Sequence, residues 1–131
     1  MKPWIKYYWP AILWALFVFT LCAVDLGPIS KNPIFFPGFD KLVHCGFFFV
    51  LVILLNNGIA RQLSITTISY KWLIIITVVA ILYGGIIELL QLSVFTWRSG
   101  EWGDLFADSV GAFMGDFGII VTIGAINYVK K

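Results

Sequence analysis

The chain has 131 residues, of which 60% are hydrophobic and 12% charged, and its formal net charge is +2. Soluble domains carry about a quarter charged residues, and a core this small cannot hide so much apolar surface from water, so an ordinary soluble domain is excluded. The low charge, with no basic patch interleaved with aromatics, excludes a nucleic-acid partner, and two cysteines are too few for a disulfide scaffold.

Four apolar runs are long enough for the hydrocarbon layer, which is about 30 Å thick and takes about 20 helical residues to cross. They must be helices, because an isolated strand leaves its backbone groups unsatisfied in lipid. The expected fold is all-α: one domain over residues 1–131, a polytopic bundle of four transmembrane helices near 7–24, 41–59, 72–94 and 104–129.

The first span, Tyr7–Val24, follows Lys2 and Lys6 and tolerates Pro10 in its opening turn. It reads as a retained signal anchor. No small-x-small cleavage site follows, and Leu21 precedes Cys22 where a lipoprotein signal wants a small residue. The loop "GPISKNPIFFPGFD" (27–40) carries three prolines and two glycines, which forbid a long helix. Its apolar centre, "FFPGF", belongs in the membrane interface or folded back over the bundle. The second span begins with Asp40, Lys41 and His44, the only histidine, and its expected end is marked by Asn56, Asn57 and Gly58. A connecting stretch from Arg61 to Lys71 leads to the third span, Trp72–Val94, which carries Glu88 and Gln91 near its end. The short link "FTWRSGEWGD" supplies Arg98, and the fourth span opens with Asp104 and Asp108.

An even number of spans puts both termini on one side. Lys2, Lys6, Arg61, Lys71, Lys130 and Lys131 share that side with no acidic residue. The positive-inside rule makes it the cytoplasm. Tyr7, Tyr8, Trp9, Trp72, Trp97, Trp102 and Tyr128 fall where interfacial aromatic belts belong.

Direction then gathers the scarce polar residues. The second and fourth helices start at the outer face and the third ends there, so Asp40, Lys41, His44, Glu88, Gln91, Arg98, Asp104 and Asp108 come to one level. Asp40 and His44, and Asp104 and Asp108, are i,i+4; Lys41 and His44, and Glu88 and Gln91, are i,i+3. Each pair therefore shares a helix face. Gly111 and Gly115 form a small-xxx-small pattern for close helix approach, with Gly84 and Gly85 in a similar position before Glu88. These contacts are expected to draw Glu88 and Asp108 together. A charged residue at a helix centre costs about 2.5 to 3.5 kcal/mol on insertion scales, so Glu88, Asp108 and Asp116 should face the bundle. Asp116, near mid-membrane, is expected to be neutral or hydrogen-bonded to a neighbouring helix. Asp40 also suits a helix N-cap, and Asp104 a first turn. Cys22 and Cys45 read as two reduced, buried thiols.

These residues resemble the VanZ-like family, whose pattern is an acid-Lys-x-x-His heading one membrane helix, Glu-x-x-Gln near the end of the next, an Arg, then Asp-x-x-x-Asn-x-x-Gly opening the last. This chain has "DKLVH" (Asp40, Lys41, His44), "ELLQ" (Glu88, Gln91), Arg98 and "DLFADSVG" (Asp104, Asp108, Gly111), all in order across residues 35–118. Asp108 stands where the family usually has Asn, and an ionised carboxylate only accepts hydrogen bonds. The resemblance implies a multi-pass protein of the bacterial cytoplasmic membrane, associated with resistance to teicoplanin, a lipid-tailed glycopeptide.

Three roles are open at this point. In the first, which is favoured, Asp40, Lys41, His44, Glu88, Gln91, Arg98, Asp104 and Asp108 line a binding site. It would hold a membrane lipid, a lipid-linked envelope precursor or the lipid-tailed drug, with Lys41, Arg98 and His44 addressing phosphate or carboxylate. In the second, the chain is a hydrolase or transferase acting on a membrane lipid. His44 is then a general base oriented by Glu88 or Asp104, with Arg98 stabilising anionic charge. No cofactor is expected in the first role; a divalent metal on His44, Glu88, Asp104 and Asp108 is a variant of the second. In the third, the chain is a transporter or structural subunit. Four short helices leave little room for a pathway, so transport would require an oligomer.

Overall fold

The structure, a computed structural model, describes residues 4–24, 36–95, 97 and 100–129. It is all-helical: α1 (Ile5–Ala23), α2 (Phe39–Leu63), α3 (Tyr70–Ser93) and α4 (Trp102–Val129). All four are long and apolar enough to cross a membrane. The loop of residues 27–40 lies outside the described residues except for its last five. There the Phe39 N–H donates to the Phe36 carbonyl at 3.0 Å, and the two rings meet edge to face at 5.5 Å.

α2 extends past the expected stop by four residues. Asn56 does not end the helix because its amide nitrogen bonds within the bundle: Nδ2 donates to the Val52 carbonyl at 3.0 Å, one turn back, and also to Asp116. Gly58 serves packing rather than termination, since a Cβ there would lie 2.7 Å from Tyr8 Cδ1. The helix ends instead where Ser64 turns left-handed, at φ 51°. At the other end the chain enters through Gly38, at φ 86°, a conformation that glycine adopts without steric cost. Asp40 therefore sits inside the first turn and does not cap it. Its carboxylate still lies at the positive end of the helix dipole.

α2 is the centre of the bundle and packs against α1, α3 and, most extensively, α4. Gly111 and Gly115 make the last contact possible. A Cβ on Gly111 would fall onto the Cys45 carbonyl, and one on Gly115 would lie 2.9 Å from the Phe49 carbonyl. The small-residue stripe of α4 thus seats the α2 backbone, whereas α3 approaches α4 through Gly84. Val18, Phe48, Val52, Ala80 and Ala112 fill the core and are fully buried. Leu13, Leu16, Ile74, Val78, Leu82, Phe106, Phe113 and Phe117 point outward and are exposed. Apolar residues lie outside while His44, Asn56, Thr77, Glu88, Gln91, Asp104, Asp108 and Asp116 lie inside. That distribution suits lipid as the surrounding solvent, where polar groups must find partners within the protein.

Candidate functional site

His44 lies in the second turn of α2, Asp108 in the second turn of α4, and Glu88 near the end of α3. α2 and α4 begin at the end of the bundle where α3 finishes, so the three side chains share one level. Gly84 precedes Glu88 by one turn and leaves space for Asp108; a Cβ there would lie 2.5 Å from Asp108 Oδ2. The three residues are each no more than 4% exposed.

His44 Nδ1 lies 2.9 Å from Asp108 Oδ1. With the carboxylate ionised, the ring N–H is the donor and the imidazole is fixed in orientation. Asp108 holds the histidine; Glu88 and Asp104, the expected partners, do not. The Cys22 thiol of α1 adjoins the same ring. Glu88 Oε2 accepts the backbone N–H of Glu101 at 2.8 Å, while Glu88 Oε1 is buried and has no hydrogen-bond partner among the described residues. Gln91 turns towards α1 and donates to the Cys22 carbonyl at 3.0 Å. Cys22 and Cys45 are both free thiols, as expected, although Cys45 is only half-buried.

A second group forms the rim. Lys41 Nζ lies 2.8 Å from Glu101 Oε2, 3.4 Å from Asp104 Oδ1 and 3.5 Å from Asp40 Oδ2. Its ammonium is shared among three carboxylates, so it is not a free cation awaiting an anionic ligand. Glu101, which ties this rim to Glu88 through its backbone, was not among the sequence candidates. Its position in a Gly-flanked link gave no helical face by which to place it. Arg98 lies outside the described residues.

Asp116 occupies a separate polar layer, about 12 Å further along α4 than Asp108 at 1.5 Å per residue. Asn56 Nδ2 donates to Asp116 Oδ1 at 3.0 Å, and Thr77 Oγ1 donates to Asp116 Oδ2. Three helices are thereby joined at a depth where each polar group needs a partner. Replacing Asp116 with leucine leaves buried donors on Asn56 and Thr77 facing an apolar side chain, at about 1 to 3 kcal/mol. Adding Asn56→Leu and Thr77→Val is expected to recover most of that loss, read as the unfolding midpoint in detergent, because matched apolar replacement removes the orphaned groups.

An apolar groove of about 300 Å³ runs between α3 and α4. Ile81, Leu82, Gly85, Ile86, Leu89, Leu92 and Leu105 line it, and Glu88, Glu101 and Trp102 complete its wall. The groove therefore lies among lipid-facing residues and borders Glu88 of the buried centre. No family model, curated protein or solved structure matches the chain.

Proposed function

We propose that the chain is a membrane protein that binds a lipid or lipid-linked envelope molecule. The headgroup sits at the polar end of the bundle, and an acyl chain lies along the α3–α4 groove. The observation that carries this reading is an apolar groove, open among lipid-facing residues, whose wall includes Glu88 and Glu101. Acyl chains have the shape and chemistry of the groove, and a headgroup needs polar partners where the chain ends. The excess of basic residues at the opposite end supports an outward-facing site. The VanZ-like pattern of Asp40, Lys41, His44, Glu88, Gln91, Asp104 and Gly111 supports an association with teicoplanin resistance, through capture of the drug's lipid tail or of an envelope lipid. In this reading the protein belongs to the bacterial cytoplasmic membrane.

The test uses a phospholipid with a photoreactive acyl chain in proteoliposomes. Cross-links are expected to concentrate on residues 81–92 and 102–105. Gly85→Trp is expected to abolish them, since nothing lies within 4 Å of a Cβ at that position and an indole there fills the groove. Labelling spread evenly over lipid-facing positions such as Leu13 and Leu16 would refute the reading. In a teicoplanin-sensitive host, expression of the wild type should raise the inhibitory concentration, and Gly85→Trp should cancel the rise.

A further inference from the structure

His44, Glu88 and Asp108 come from three different helices and are all deeply buried. One ring nitrogen of His44 and one carboxylate oxygen from each acid lie within 4.8 Å of one another. Donors around one ion with bonds of about 2.1 Å stand roughly 3.0 to 4.2 Å apart. The His44 Nδ1–Asp108 Oδ1 separation of 2.9 Å is already close to that lower bound. An ion among the three donors would draw in the wider-spaced pairs from at most 4.8 Å.

An independent feature points the same way. Glu88 is 4% exposed, yet its Oε1 has no hydrogen-bond partner among the described residues. Asn56 Oδ1, Gln91 Oε1 and Asp104 Oδ1 are also buried without a hydrogen-bond partner among the described residues, but of these four residues only Glu88 belongs to the fully buried cluster. The adjacent cluster of Asp40, Glu101 and Asp104 provides a contrast. Its carboxylates also gather within 4.8 Å, but the Lys41 ammonium stands among them and serves as their cation. The inner cluster has two carboxylates, one imidazole and no ammonium or guanidinium contact among the described residues.

We propose that His44, Glu88 and Asp108 bind one divalent metal ion of the borderline class, Zn²⁺ or Mn²⁺. Imidazole nitrogen favours such ions over Mg²⁺ and Ca²⁺, which prefer all-oxygen shells, and two carboxylates neutralise the charge. Metal binding requires deprotonated ligands, so uptake falls as pH drops. Three protein ligands leave a coordination position open. Glu88 also borders the groove, so a lipid phosphate seated beside it would find in the ion the cation that Lys41 does not supply. This last step rests on the lipid-binding reading; the metal site itself does not.

The test measures metal content. Detergent-purified protein is stripped with chelator, dialysed against Zn²⁺ or Mn²⁺, and analysed by elemental mass spectrometry. The wild type should retain about one ion per chain, and Glu88→Gln and Asp108→Asn should hold at least tenfold less at the same free metal. Asp116→Asn, in the other polar layer, should keep the full complement. Where a variant loses its helical circular dichroism, the wild type alone decides: its melting midpoint should rise with Zn²⁺ or Mn²⁺ and fall back with chelator. A wild type with neither a retained ion nor a metal-dependent midpoint would overturn the proposal, as would full retention by Glu88→Gln. Photoreactive phospholipid labelling repeated in chelator keeps the two readings apart, since groove labelling without metal leaves lipid binding intact and removes only the phosphate-bridging role.

Discussion

Gly111→Ala is expected to destabilise the bundle by about 3 kcal/mol, at the upper end for overpacked sites. The added methyl group would overlap the Cys45 carbonyl oxygen and crowd its carbon and Cα. All three are α2 backbone atoms, which no rotamer change can move aside. Relief requires α4 to retreat from α2, the largest helix pairing in the molecule. Retreat would also draw Asp108 from His44, so damage is expected at the polar centre as well as in packing. Gly46→Ala is the matched control. It adds the same methyl to α2 where nothing lies within 4 Å, and alanine's better helix propensity should leave stability unchanged or slightly raised. Thermal unfolding in detergent, followed by circular dichroism, measures both. Equal midpoints for the two variants would show that the α2–α4 interface is not built on Gly111.

The second large effect concerns Asp108. Asp108→Ala removes the acceptor 2.9 Å from His44 Nδ1 and leaves a buried imidazole unpaired. A loss of about 3 kcal/mol is expected, the scale for breaking a buried charge-assisted pair. Asp108→Asn should behave differently. An amide oxygen can still accept from the ring N–H, so stability should stay within about 1 kcal/mol of wild type. The pair of variants therefore separates two properties of one side chain, since the amide should preserve folding while losing the metal. Equal destabilisation by Asn and Ala would mean that the carboxylate charge, rather than the hydrogen bond, supports the centre.

What could be read from the residues divides along a physical line. Four spans were legible because lipid demands length and apolarity, both carried by sequence alone. The shared level of His44, Glu88 and Asp108 was legible because helix direction alternates and each residue sits a few positions from a helix end. Which neighbour a helix face meets was not, because periodicity gives a face but not the rotation of the surrounding helices. Gly111 and Gly115 were thus recognised as close-packing positions, yet their seat is α2, and the approach of Glu88 to Asp108 depends on Gly84. Asn56 was misread for a related reason. An asparagine beside Asn57 and Gly58 signals a helix end in water, but in a bundle its amide can bond back to Val52 and across to Asp116. Thr77 gave no signal, since a hydroxyl in an apolar helix can satisfy itself on its own backbone. Cys22 was taken as an inert buried thiol, and only its place beside His44 distinguishes it.

The most direct measurement of ligand binding is native mass spectrometry of the protein extracted with its own membrane lipids, comparing wild type with His44→Ala and Gly85→Trp. The wild type should retain a lipid adduct that survives detergent removal. Gly85→Trp should lose it through the blocked groove, and His44→Ala should weaken it through the damaged centre. A lipid-free wild type, or identical adducts on all three proteins, would contradict a lipid site at this end of the bundle.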